Sequence, residues 1–242
     1  MDIDSKWLRG LWGRKILMGL YKKGNKRLHH IHIPKTGGTS IAHLLQSQGW
    51  VWVESPPLPK DMKNEIRSNE LSPHIHRAIW ELWDQSWDYE FTTVRNPYER
   101  FVSHCRQITN ARKTTPPTPS GVINLFDKVY NEHIPNLGMG FDDNHFRSQV
   151  EFISDKTIIF KLEDQREMLM NFLKENDIIS IECSLPKENV SMEHAPHLIV
   201  HWPLRPLLHK QFLNLYGEDF EMFGYSTEVP TYGLNINWDK RL

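Results

Sequence analysis

A pair of adjacent glycines separates a predicted strand from a predicted helix, and this arrangement limits the folds open to the chain. Residues 28–33 (LHHIHI) carry three apolar side chains among histidines and predict a short buried strand. The glycines at 37–38 predict a tight turn, after which Thr39 or Ser40 can cap a helix that stops near Gly49. The first unit of the chain is therefore strand, glycine-rich turn and helix.

Strands and helices alternate along the rest of the chain. Two further strands are predicted, over residues 90–95 and 157–162. Four further helices are predicted, from Pro73 to about Trp83 with Ser72 as cap, from Pro97 with Asn96 as cap, over 164–174, and over 203–217. Irregular segments are predicted over residues 113–121 and 184–202. This alternation predicts an α/β domain with a mostly parallel central sheet and helices on both faces.

The N-terminal segment differs in character from the rest. Residues 1–27 are basic, and apolar side chains recur at helical spacing over residues 5–22, which predicts an amphipathic helix. Either this helix packs on the domain, or it binds a membrane surface or a partner. The main domain is expected over residues 28–228, with a C-terminal tail over 229–242.

Composition excludes several classes of protein. The formal net charge is -1, so the chain lacks the basic field of a nucleic-acid-binding protein. No stretch approaches the roughly 20 apolar residues of a membrane span, and the N-terminus does not match a signal peptide, so a cytoplasmic location is expected. Cys105 and Cys183 fit no metal-binding spacing, and two thiols are expected rather than a disulfide. Nothing in the sequence indicates an oligomeric state.

The first motif is PKTGGTS, residues 34–40, between the first strand and helix. A turn of this kind exposes main-chain N–H groups at a helix N-terminus, where they bind anions. Lys35 adds a mobile cation, and Thr39 and Ser40 add hydroxyl donors. The alternative is a plain turn with a helix cap. The motif is not a Walker A loop, because Lys35 precedes both glycines.

The second motif is VRNPYERFVS, residues 94–103, at the junction of a predicted strand and helix. Arg95 stands at the carboxyl end of the strand, where ligands bind in open α/β sheets. Ser103 lies about two turns into the helix, and an Arg fork with a nearby hydroxyl can bind a phosphate group. The alternative is that Arg95 only pairs with a carboxylate.

Together the two motifs resemble the superfamily of sulfotransferases that use 3′-phosphoadenosine 5′-phosphosulfate (PAPS), and most of all its carbohydrate branch with the heparan and chondroitin sulfate enzymes. Weaker similarity occurs at residues 145–149, 161–164 and 219–225. The resemblance implies a P-loop-like three-layer fold. It also implies that Lys35, Thr36, Gly37, Gly38, Thr39 and Ser40 bind the 5′-phosphosulfate, and that Arg95 and Ser103 bind the 3′-phosphate.

The implied reaction is an in-line transfer of the sulfuryl group to a hydroxyl, expected on a carbohydrate, with no metal. Lys35 is expected to stabilise the negative charge that grows on the leaving oxygen. A histidine suits the role of base near neutral pH. The candidates are His76, His74 and His145, and His76 is preferred because a helix starting at Pro73 would direct it inward. Arg147 and Gln149 are further candidates for contact with the acceptor.

Two other functions remain open at this stage. A nucleotide phosphotransferase would require a magnesium site and a Walker lysine, and the sequence has neither. A non-catalytic nucleotide- or glycan-binding module is the second alternative. Trp80, Trp83 and Trp87 either form a platform for sugar rings or belong to the core.

Overall fold

The protein is represented by a computed structural model that describes residues 19–53, 74, 77–81, 86–111, 130–131, 144–183 and 206–228. The chain forms two compact units. Unit 1 comprises residues 1–94, 138–147 and 151–186, and unit 2 comprises residues 95–137, 148–150 and 187–242.

A five-stranded sheet forms the centre of unit 1. Its strands are β1 (Leu20–Lys23), β2 (Lys26–Ile31), β3 (Val51–Trp52), β4 (Tyr89–Val94) and β5 (Ile158–Lys161), in the order β3-β1-β2-β4-β5. Strands β2, β4 and β5 are parallel to one another, whereas β1 is antiparallel to both of its neighbours. Four of the five strands therefore run in one direction, which confirms the prediction of a mostly parallel sheet.

Helices lie on both faces of this sheet. Of the described helices, α1 (Gly38–Ser47), α2 (Arg77–Trp80) and α4 (Arg166–Glu175) belong to unit 1, whereas α3 (Pro97–Ala111) and α5 (Pro206–Phe223) belong to unit 2, and a short 3₁₀ helix covers Gln149–Phe152. On one face, apolar side chains of α1 and α4 share a core with Leu28 and Phe91. Adjacent strand residues point to opposite faces, and next to Leu28 the ring of His29 lies against Trp80 of α2. The α/β, three-layer prediction is confirmed.

The helix predicted over residues 5–22 is wrong for its last residues, which form β1. Leu20 and Tyr21 are buried, whereas Lys22 and Lys23 are exposed and lead into a turn at Gly24, where φ is 59°. Pairing with β2 satisfies the main-chain groups of this segment and buries its apolar half, which outweighs the helical spacing of its side chains. Residues 1–18 lie outside the described part of the chain.

Unit 2 contains two helices that pack through aromatic rings. Tyr98 and Phe101 of α3 lie 4.8 Å and 5.8 Å, centroid to centroid, from Phe212 of α5. The Tyr98 hydroxyl donates to the Thr227 carbonyl at 2.9 Å and lies 2.7 Å from Nε2 of His209. This bond ties the segment after α5 to the beginning of α3.

Most predicted elements occur within a few residues of their predicted ends. Besides the N-terminal helix, the helix from Pro73 is an exception, because His74 lies in a bend and α2 begins at Arg77. Helix α5 is longer than predicted and ends before Gly224, where φ is 60°. The predicted irregular segments 113–121 and 184–202 and the tail 229–242 are outside the described residues.

Two smaller predictions concern the cysteines and the membrane. Among the described residues, neither Cys105 nor Cys183 forms a disulfide, and Cys105 is buried whereas Cys183 is half-buried. Across the described ranges, no helix has both the length and the apolar character needed to cross a bilayer.

Candidate functional site

The glycine loop, residues 34–40, connects β2 to α1 in unit 1 and is fixed by two threonines. The Thr36 hydroxyl donates to the Ile33 carbonyl at 2.9 Å. The Thr93 hydroxyl of β4 donates to the Thr36 carbonyl at 2.8 Å. Thr36 is fully buried, and these two bonds hold it against β4.

The main chain of the glycine loop adopts left-handed angles at two positions, with φ of 69° at Lys35 and 88° at Gly37. A lysine rarely adopts a positive φ, and such residues cluster at functional sites. Ser40 N–H donates to the Gly37 carbonyl at 3.1 Å, so Gly37 is the N-cap of α1. The prediction that Thr39 or Ser40 caps this helix is therefore wrong, since both lie inside its first turn.

The first turn of α1 is suited to an anion. Among the residues that the structure describes, no side chain caps this helix. The N–H groups of Gly38 and Thr39, which precede the bond from Ser40 to Gly37, have no intrahelical partner and lie at the positive end of the helix dipole. Lys35, three residues before the start of the helix, is half-buried. Thr39 is exposed and Ser40 is buried. These are the features that bind a phosphate or sulfate group at a helix N-terminus.

Each glycine of the loop is required for a different reason. Gly37 has a left-handed φ, and a Cβ atom there would lie 3.1 Å from Cδ1 of Leu162. Gly38 has no such angle, but a Cβ atom there would overlap the imidazole ring of His32. His32 thus contacts the start of α1, a proximity that the sequence prediction missed because it assigned His32 only to a buried strand.

Three histidines form a row in unit 1, which we call the histidine row: His32, His74 and His145. The rings of His32 and His74 are 4.7 Å apart, and those of His74 and His145 are 4.8 Å apart, both edge to face. All three are buried. Burial, and then the nearby His74, His30 and Lys35, lower the pKa of His32 well below its usual value, so His32 is neutral near pH 7.

The main chain of His74 is held by a series of hydrogen-bonded polar side chains. Asn144 donates through Nδ2 to the His74 carbonyl at 2.7 Å. Arg147 donates through Nε to Oδ1 of Asn144 at 3.1 Å, and its guanidinium also pairs with Glu151. Two of the predicted bases, His74 and His145, are therefore brought together, whereas His76 lies outside the described residues.

The second motif belongs to unit 2 from Arg95 onward. Asn96 accepts the Tyr98 N–H at 3.0 Å through its side chain, which confirms it as the cap of α3. The Arg95 guanidinium pairs with Glu99 at 3.3 Å, so the predicted carboxylate partner exists. Ser103 is buried one turn beyond Glu99 on the same side of α3.

Gln149 does not fit the role of an acceptor contact. Its side chain is completely buried, and both amide atoms bond to the main chain of Arg95 at 2.9 Å. The prediction that Gln149 touches the acceptor is therefore not supported, because the side chain is committed inside unit 2.

The tryptophans differ in their surroundings. Trp80 is buried, and its indole N–H donates to the Phe152 carbonyl at 3.0 Å, so it belongs to the core. Trp87 is half-buried, with the guanidinium of Arg27 4.9 Å from its ring centroid. Trp83 is outside the described residues.

In the described segments, no group of three or more His, Cys, Asp or Glu side chains is arranged to hold a metal ion. Comparison with known proteins gives one match. The model of the sulfotransferase family matches residues 20–226. No curated protein and no solved structure matches the chain.

Proposed function

The chain belongs to the sulfotransferase family, and on that basis we propose that it transfers the sulfuryl group of PAPS to a hydroxyl of a carbohydrate. The observation that supports this most is the glycine loop, where Lys35 and Gly37 hold left-handed angles before the uncapped first turn of α1. Such a loop binds an anion through main-chain N–H groups, and a cation stands within it.

In this proposal the two motifs bind the two ends of the donor. The glycine loop binds the 5′-phosphosulfate through Lys35, through main-chain N–H groups of residues 36–39 and through the hydroxyl groups of Thr39 and Ser40. Arg95 and Ser103 bind the 3′-phosphate, because an Arg fork and a hydroxyl form charge-assisted bonds with phosphate oxygens. The Arg95 guanidinium pairs with the Glu99 carboxylate at 3.3 Å, and in this proposal the ion pair holds the guanidinium before the phosphate arrives.

The reaction is a displacement at sulfur. The acceptor oxygen forms a bond to sulfur while the bond from sulfur to the bridging phosphate oxygen breaks, and adenosine 3′,5′-bisphosphate leaves with the electron pair. Lys35 stabilises the charge that develops on the bridging oxygen. The acceptor proton passes to a histidine.

The base is drawn from His74, His76 and His145. The preference for His76 relied on a helix starting at Pro73, and His74 lies in a bend instead. His74 therefore becomes as good a candidate as His76. Its ring packs between those of His32 and His145, which limits its rotation and favours a fixed direction for proton transfer.

A carbohydrate acceptor rests on the resemblance of the two motifs to the carbohydrate branch. Because Trp80 lies in the core, only Trp87 among the described members of the predicted platform can offer a partly exposed ring. A platform of three rings is thus not part of the proposal.

The decisive experiment incubates the protein with sulfur-labelled PAPS and a panel of glycans, glycolipids and small phenols, in the presence of EDTA. Transfer of label to a glycan without magnesium is expected. Transfer only to phenols would replace the acceptor class. A requirement for magnesium with ATP as donor would favour the phosphotransferase alternative, and donor binding without transfer to any acceptor would favour a binding module.

Donor recognition is tested separately by calorimetry. Adenosine 3′,5′-bisphosphate is expected to bind at least about tenfold more tightly than adenosine 5′-monophosphate, since each charge-assisted bond to the 3′-phosphate contributes roughly 1.5–3 kcal/mol. Equal affinities would contradict the roles of Arg95 and Ser103.

A further inference from the structure

The main chain of Arg95 is held by a side chain rather than by a neighbouring strand. The Arg95 N–H donates to Oε1 of Gln149 at 2.9 Å, and Nε2 of Gln149 donates to the Arg95 carbonyl at 2.9 Å. The amide therefore pairs with both polar groups of one residue, as a strand partner would. Arg95 is the first residue after β4, where the regular pairing of that strand has ended.

The orientation of this amide is set by Asp219 of α5. Nε2 of Gln149 donates its second hydrogen to Oδ2 of Asp219 at 3.2 Å. Oδ1 of the same carboxylate accepts from the Ser148 hydroxyl at 2.5 Å and from the Val150 N–H at 3.0 Å. A reversed amide would place donor against donor at Arg95, so only one orientation satisfies the bonds.

Four of the five residues in this network are buried, and Val150, which contributes only its N–H group, is half-buried. Gln149 and Asp219 are both 0% exposed, and Ser148 and Arg95 are nearly so. Buried polar groups that satisfy one another hold a single geometry, and losing one partner leaves the others unpaired at substantial cost. Residues 148–150 thus all donate hydrogen bonds to the Asp219 carboxylate. Gln149, the middle residue of the three, in turn holds the main chain of Arg95.

We infer that Gln149 and Asp219 are positioning residues that fix the main chain of Arg95, so that its guanidinium is preorganised for the 3′-phosphate of the donor. This inference rests on the proposed function. A binding group held in place before the ligand arrives loses less conformational entropy on binding. The similarity at residues 145–149 and 219–225 gains a physical meaning, because Gln149 and Asp219 are the members that bond to each other.

The test measures selectivity, the ratio of the dissociation constants of adenosine 5′-monophosphate and adenosine 3′,5′-bisphosphate, by calorimetry. Gln149→Leu is expected to lower selectivity by about tenfold, the effect of one misplaced charge-assisted contact, while affinity for the monophosphate stays within about twofold. Asp219→Asn keeps the acceptor for Ser148 and Val150 and loses only the bond to Gln149, so it should fold and show a smaller loss in the same direction.

A merely structural role would not produce the pattern expected of the double variant. Arg95→Ala should lower selectivity by itself, and Gln149→Leu should add little in the Arg95→Ala background, because both act through one contact. The control is Gln48→Leu, the same substitution at the C-terminal end of α1, where the side chain accepts one exposed bond from the Ser180 N–H at 2.9 Å. It should leave selectivity unchanged.

The outcomes separate this inference from the proposed function. If Arg95→Ala leaves selectivity unchanged, the proposed role of Arg95 is wrong. If Arg95→Ala abolishes selectivity while folded Gln149→Leu and Asp219→Asn proteins retain it, the role of Arg95 stands and the positioning role is overturned. Equal loss of affinity for both nucleotides in the Gln149 and Asp219 variants would also overturn it.

Discussion

The imidazole ring of His32 occupies the space that a Cβ atom on Gly38 would need. Gly38 begins α1, so the His32 ring packs against the N-terminal end of the helix that is proposed to bind the phosphosulfate. This close approach, and not a special backbone angle, is the reason for glycine at this position.

Gly38→Ala is expected to displace either the His32 ring or the first turn of α1. A displacement near 1 Å at a binding group costs about 10²-fold in turnover. When His32 is also replaced by alanine, the ring is absent. The turnover of the double variant should therefore lie close to that of His32→Ala alone, so that Gly38→Ala costs much less in that background than in wild type. Steady-state sulfotransfer and calorimetry with adenosine 3′,5′-bisphosphate measure both effects.

Gly37→Ala provides the contrast for this prediction. Its φ of 88° and its proximity to Leu162 are independent of His32, so the loss in Gly37→Ala should persist when His32 is replaced. Recovery of both glycine variants by His32→Ala would show that the contact between His32 and Gly38 is not the cause.

Lys35→Ala is expected to lower turnover by about 10²–10³-fold, the usual effect of removing one group that stabilises developing charge, and to weaken donor binding much less. Alanine, like lysine, has a Cβ atom, so the energetic cost of the left-handed φ at position 35 stays the same in this variant. Lys35→Arg keeps the charge and should recover part of the rate. A variant with normal turnover and only a higher KM for PAPS would make Lys35 a binding residue.

The base is identified by comparing His74→Ala, His76→Ala and His145→Ala with one acceptor. The variant that lacks the base should lose about 10²–10⁴-fold in turnover, with donor affinity nearly unchanged. Wild-type turnover should rise with pH through the neutral range, because only the neutral imidazole accepts a proton. That rise should disappear in the variant without the base. Three variants that keep the wild-type rate and pH profile would exclude all three candidates.

His30 offers a prediction on stability. Both ring nitrogens of this buried residue lack a hydrogen-bond partner within the described residues, and its ring lies 5.0 Å from that of Phe91. Burial, and then the neighbouring His29, lower the pKa of His30 to about 3. Leaving a buried polar group unsatisfied costs about 1–3 kcal/mol, so His30→Leu is expected to raise the free energy of unfolding.

The pH dependence of this gain has a definite sign. The unfolded chain binds a proton to His30 below about pH 6.5, whereas the folded chain does not until about pH 3. The free energy of unfolding of wild type therefore does not depend on His30 protonation above pH 6.5. It falls as pH drops from 6.5 toward 3, because only the unfolded chain takes up the proton. The advantage of His30→Leu should therefore grow by up to about 1.4 kcal/mol per pH unit across that window.

Denaturant unfolding at several pH values measures this difference, with His43→Leu, an exposed position on α1, as the control for loss of a histidine. An advantage that does not change between pH 7 and pH 4 would contradict the assignment of a neutral His30. Lower stability of His30→Leu at pH 7 would contradict the cost assigned to the unsatisfied ring nitrogens.

Local patterns in the sequence predicted the parts of the fold that depend on neighbours along the chain. The alternation of strands and helices is of this kind, and so is the cap at Asn96. The Ser72-Pro73 pair is also a good local start for a helix, but the His74 carbonyl accepts a bond from Asn144, seventy positions away, and His74 lies in a bend. No local pattern contains that contact.

The candidate site shows the same division. The glycine loop and Arg95 were recognisable because their chemistry is concentrated in two short segments. The contact of His32 with Gly38 and the pairing of Gln149 with Arg95 and Asp219 were not, because each depends on side-chain packing or on partners more than fifty residues apart.

The bond from Tyr98 to Thr227 sets a practical limit on shortening the chain for expression. The match to the family ends at residue 226, one position before the carbonyl that accepts this bond. A protein trimmed to that boundary would keep all of α5, yet the buried phenol of α3 would lose that acceptor and the chain end would be released from it. A C-terminal trim should therefore be made beyond Glu228.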